Sequence, residues 1–126
     1  DPCRAGGVDV IAPHGQFRVY VAIRPVDFRK GMDGLALVVQ ERLGLDPFAG
    51  AAFVFRAKRA DRIKIVIWDG TGMVLVYKRL DGAKFVWPQV QDGVMKMSPA
   101  QFSALFEGVD WRLVRPEWKR RPQVAG

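Results

Sequence analysis

The spacing of apolar positions along the chain changes period, and each change marks an element. From Phe17, "FRVYVAI" alternates apolar Phe17, Val19, Val21 and Ile23 with Arg18, Tyr20 and Ala22. That two-residue period suits a strand with one buried face. The alternation stops across "RPVDFRKGMDG". Met32, Leu35, Ala36, Val39 and Leu43 then recur at i, i+3, i+4, i+7 and i+11, the spacing of a helix face, and Gly44 supplies a stop.

After "GLDPFAG" the two-residue period returns and predicts a meander of strands at Ala52–Arg56, Arg62–Trp68, Met73–Arg79 and residues 84–87. In the second of these, Ile63, Ile65 and Ile67 point one way, and Arg62, Lys64, Val66 and Trp68 the other. "DGTG" at Asp69 to Gly72 supplies residues that tolerate positive φ, as a tight hairpin requires. "SPAQFSALFEG" predicts a second helix: Ser98 caps it, Pro99 takes the first position, Gln101 completes a capping box and Gly108 ends it. Its core stripe is Phe102, Leu105, Phe106 and Val109.

Two segments lack any period. Residues 1–16 hold five Gly or Pro and read as a flexible arm; residues 112–126 read as an extended basic tail. Between them, residues 17–111 are expected to form a single α+β domain, a mostly antiparallel β-sheet meander with two helices packed on it. The 126 residues, 49% of them hydrophobic, suffice for one modest core.

Charge narrows the possible partners. Lys and Arg number 20 against 13 Asp and Glu, giving a net charge of +7, and the isoelectric point is near 10.1. That balance favours a polyanion, with a merely solvated basic surface as the alternative. The basic residues fall in two clusters. Arg56, Lys58, Arg59, Arg62 and Lys64 surround a hairpin with Trp68 nearby; Arg112, Arg115, Lys119, Arg120 and Arg121 lie in the tail with Trp111 and Trp118. Such residues neutralise phosphates and release counterions, and exposed indoles stack on bases, so these ten cations are the candidate nucleic-acid contacts. For Trp87 and Trp111 the competing reading is core packing.

Catalytic chemistry is poorly provided for. The lone cysteine, Cys3, and the lone histidine, His14, both lie in the arm, so neither an internal disulfide, a thiolate metal cluster nor a histidine-based triad is expected. The glycines of "GTGMV" join two strands and lack the helix N-terminus of a phosphate-binding loop. Asp27, Asp61 and Asp69 are the residual option for a divalent cation and a metal-dependent nuclease; each also suits a turn or an ion pair. Neither cofactor nor metal is therefore expected. The "DFRKG" stretch, with Asp27, Arg29 and Lys30, is either a partner contact or a turn fixed by Asp27. The apolar runs, such as "LALVV", fall far short of a bilayer span, and a cytoplasmic location is expected.

The segments "VYVAIRPVDFRKGMDGLALVV", "DPFAGAAFVFRAKRADRIKIVIWDGTGMVLVYKRLDGAKFVWP" and "SPAQFSALFEGVDWR" resemble the Orf2 (TnpB-type) accessory proteins of the IS66 family of bacterial insertion sequences. The resemblance runs from Phe17 to Arg112 and rests on ordered motifs. These are Asp27 to Gly31, Asp46-Pro47-Phe48, the basic hairpin, Trp68-Asp69-Gly70, Trp87-Pro88 and Gly108 to Trp111. The arm before Phe17 departs from that pattern. The resemblance implies a non-catalytic accessory protein of DNA transposition, working beside a separate, larger transposase that carries the acidic catalytic triad. It supplies no catalytic residue. Two partners follow as expectations: DNA at the insertion-sequence ends, held by the basic hairpin and tail, or else the transposase itself.

Overall fold

The computed structural model describes residues 17–89 and 93–115. Five strands form one sheet: β1 (Val19–Ala22), β2 (Ala52–Arg56), β3 (Arg62–Trp68), β4 (Met73–Arg79) and β5 (Val94–Met97). Their order is β4-β3-β2-β1-β5. Three of the four pairings are antiparallel; β1 and β2 run parallel, with Val19 opposite Ala52. The expected meander therefore holds only for β2 to β4. A parallel pair needs a crossover, and helix α1 (Met32–Glu41) lies in the chain between the two strands.

The sheet is covered on both faces, which corrects the expectation of a strand with one buried side. Val19, Val21, Val54, Ile63, Ile65 and Ile67 meet Phe85, Met97, Trp111 and Leu105, the last from helix α2 (Pro99–Glu107). Phe53, Phe55 and Val66 on the other face meet Leu35, Val38 and Val39 of α1. Full burial of each such aliphatic side chain contributes about 1.5–3 kcal/mol. The α1 stripe is shifted around the helix from the one its spacing suggested: Met32 is exposed, while Val38, outside that spacing, is buried.

Local signals set the ends. In α2 the Ser98 hydroxyl accepts from the Gln101 backbone and the Gln101 side chain accepts from the Ser98 backbone. Gly108 closes the helix at φ 83°. Residues 84–87 are not a strand. They belong to no ladder, and their alternation reflects anchoring: Phe85 donates its N–H to the carbonyl of Ala60, and Trp87 Nε1 donates to the carbonyl of Ala22. The strand that completes the sheet is the four-residue β5, paired with β1 from Val19 opposite Met97 to Ala22 opposite Val94. No helix among the described residues is long and apolar enough to cross a membrane.

Candidate nucleic-acid interface

The strand directions gather basic residues at one end of the sheet. β1, β2 and β4 finish there, and β3 and β5 begin there. The β2–β3 turn is built on an N–H from Ala60 to the carbonyl of Ala57 at 3.0 Å, followed by Ala60 itself at φ 61°. This left-handed step usually falls to glycine. The turn carries Lys58 and Arg59 outward; both are exposed, and their side chains make no hydrogen bond or ion pair among the described residues.

The hairpin between β3 and β4 adds cations that the linear clusters did not include. Pairing of Trp68 with Met73 across the Asp69 turn sets the register, and six steps outward Arg62 stands opposite Arg79. Directly opposed like charges on one face repel, which an anion between them would relieve. Arg62 has partial compensation: its Nε lies 3.6 Å from Asp61 Oδ1, an ion-pair distance that is too long for a hydrogen bond, and its Nη1 donates weakly to Tyr77 at 3.4 Å. Asp61 Oδ1 is otherwise buried without a hydrogen-bond partner. Arg79 is exposed and unpaired among the described residues. Lys84 and Arg59 line a shallow cleft of about 250 Å³ together with Asp61.

The same end holds the "DFRKG" loop, and Lys64 is the reason. Its Nζ donates to the carbonyls of Phe28 and Lys30, both at 2.8 Å, and sits over the rings of Phe28 and Tyr77 at 5.0 and 5.4 Å. The residue is only 7% exposed. Expected among the phosphate contacts, Lys64 instead spends its charge under the surface, tying the loop to β3. In the loop, Asp27 receives the backbone N–H of Arg29 and a bidentate pair from its guanidinium, the shorter contact 2.6 Å. That pairing, above all the Arg29 side chain, holds the Asp27 carboxyl well below the ordinary carboxylate range. Arg24 and Lys30 beside it are exposed.

Arg56 turns to the opposite face from Arg62. Its neighbour across the ladder is Ile63, and its guanidinium sits 5.9 Å from the Trp87 ring. Nε donates to Ile23 at 3.3 Å and Nη1 to Lys58 at 3.2 Å. Partial burial lowers its pKa from the usual arginine value.

The expected aromatic company is rearranged. Trp68 lies at the far end of β3, edge-on to Phe48 at 5.4 Å. Trp111 is buried and donates to Val86 at 2.7 Å. Of the tail cations, Arg112 pairs with Asp110 at 2.9 Å and Arg115 is exposed, while Lys119, Arg120, Arg121 and Trp118 lie outside the described residues. Among the described residues no cluster of His, Cys, Asp and Glu could hold a metal ion, and Asp69 serves its turn by accepting from Thr71 and Gly72.

Sequence reasoning passed over Arg24, Arg79 and Lys84. For Arg79 the signal was available: counting outward from the Asp69 turn pairs it with Arg62.

Comparison with known proteins gives a consistent neighbourhood. The family model described as "IS66 Orf2 like protein" matches residues 17–116. Uncharacterized protein y4jC of Sinorhizobium fredii is 48% identical over 113 residues, 90% of this chain and 97% of that one. Uncharacterized protein y4hO of the same organism is 44% identical over 115 residues, covering 90% and 98%. No solved structure matches.

Proposed function

This chain belongs to the IS66 Orf2-like family and is a transposition-associated accessory protein, and from that premise we propose that it binds insertion-sequence DNA through the basic end of its sheet without cutting or joining strands itself. The observation that carries this reading is the convergence of six accessible cations, Arg24, Lys58, Arg59, Arg62, Arg79 and Lys84, from four separate chain segments. Phosphates spaced along a backbone suit such a scattered set better than a single small anion does. The tail from Arg112 adds affinity, and the protein acts in the cytoplasm.

Binding of element-end DNA, followed by fluorescence anisotropy across a salt series, tests the reading. Six neutralised phosphates correspond to a loss of about a thousandfold in affinity between roughly 50 and 200 mM salt. Absence of binding at low salt would overturn it.

A second reading, docking on the transposase of the same element, draws on a different observation. Val109 and Leu113 leave large apolar side chains exposed in one short segment, Leu113 at 84%, where a protein surface fits better than phosphate. Co-purification with the transposase after nuclease treatment separates the two.

A further inference from the structure

On the α2 side of the basic end lies a cleft of about 380 Å³ that the phosphate contacts leave unused. Trp87, Pro88, Phe85 and Ile23 give it apolar walls, Ala60 closes it from the hairpin turn, and Arg56 reaches it from β2. It is thus framed by the Trp87-Pro88 motif and the strained turn, two sequence features that phosphate binding does not explain.

The polar side chains that line the cleft are Arg56 and the exposed Gln89. A guanidinium has five N–H donors, and Arg56 commits two of them, to Ile23 and Lys58. No carboxylate pairs with it among the described residues. The cleft therefore offers an arginine with donors to spare, partly desolvated and uncompensated, beside a partly buried indole whose own N–H is already given to Ala22. Hydrogen-bond acceptors carried on a flat apolar ring satisfy both. Such rings pack on aromatic and guanidinium planes while their carbonyl or ring-nitrogen acceptors take arginine N–H groups.

We propose that this cleft receives one unpaired nucleobase of a DNA strand whose phosphates run over Lys58 and Arg59. Placement supports that occupant over an acidic side chain. The two free cations sit on the turn that closes the cleft, so a backbone tracking across them delivers a base inward. An acidic peptide would find the apolar walls unfilled. In a duplex every base is stacked, so occupancy requires a single strand, an overhang or a frayed end.

The inference rests on the DNA-binding reading, and its test separates the two. Anisotropy at one fixed salt concentration is measured with a labelled oligonucleotide as a blunt duplex and as the same duplex with a short single-stranded overhang. The overhang form is expected to bind at least tenfold tighter. Arg56→Lys, which keeps the charge but loses the planar fork, is expected to remove most of that preference. Trp87→Phe, with circular dichroism as the folding control, is expected to weaken the preference as well. Equal binding of blunt and overhang forms would overturn the cleft assignment while leaving the phosphate interface standing; no binding of either would remove both. Displacement of the overhang by poly-glutamate as readily as by unlabelled single strand would also overturn it, in favour of an acidic protein partner.

Discussion

The ammonium of Lys64 lies 2.8 Å from the carbonyl oxygen of Phe28, a residue 36 positions earlier in the chain. This bond, with its twin to Lys30, holds the loop before α1 against β3. Replacing Lys64 by Met strands two carbonyls and is expected to lower the unfolding free energy by about 3 kcal/mol in urea titrations, with faster amide exchange in residues 27–31. Arg62→Met, at a partly exposed neighbour on the same face, is expected to cost under about 1 kcal/mol. Equal losses at the two positions would show that the anchoring role is misassigned.

Single neutralisations at the sheet end are expected to act on affinity alone. Lys58→Gln, Arg59→Gln, Arg79→Gln and Lys84→Gln should each reduce the slope of log affinity against log salt by about 0.9, with stability changed by under about 0.5 kcal/mol. Arg42→Gln, at the C-terminal end of α1, provides the control and should leave the slope unchanged.

Ala60 and Gly108 share the left-handed backbone region with opposite consequences, at φ 61° and 83°. Ala60→Gly removes a steric penalty and is expected to raise stability by about 1 kcal/mol. Gly108→Ala is expected to lower it by at least about 1 kcal/mol, because the new Cβ would also stand 3.1 Å from Leu80 Cδ1. Thermal unfolding of both variants reads the difference directly.

Three carboxyls are held below their ordinary range: Asp27 chiefly by the Arg29 side chain, Asp69 by the Thr71 and Gly72 backbone, and Asp110 by the Arg112 side chain. With folded values depressed, their contribution is complete above the unfolded value of about 4 and is lost progressively as the pH falls from there through the lower folded values. Asp27→Asn is therefore expected to flatten the acid limb of stability against pH. A stability gap between variant and wild type that stays constant from about pH 6 to about pH 2 would refute the linkage.

The parts of this fold that were legible in the sequence are those fixed locally. The capping box of Ser98 and Gln101, and three strands flanking two tight turns, fall where propensity and turn chemistry place them. The parts that were not are long-range. β5 has only four residues, and its partner β1 is more than 70 positions away in the chain, so nothing near it announces a strand. Residues 84–87 alternate like a strand because Phe85 and Trp87 both turn inward, yet they find no ladder. Lys64 shares a period with Arg62, and only the loop folding over it distinguishes a buried anchor from a surface cation.

The sheet order carries a consequence for how the protein is made. β1 emerges first during synthesis, yet one of its two edges is covered only by β5, which lies in the last third of the chain. Until then a nascent chain presents an open apolar edge to the cell, the kind of edge that recruits stray strands. Premature termination before Val94 would thus leave a sticky fragment rather than a smaller working protein.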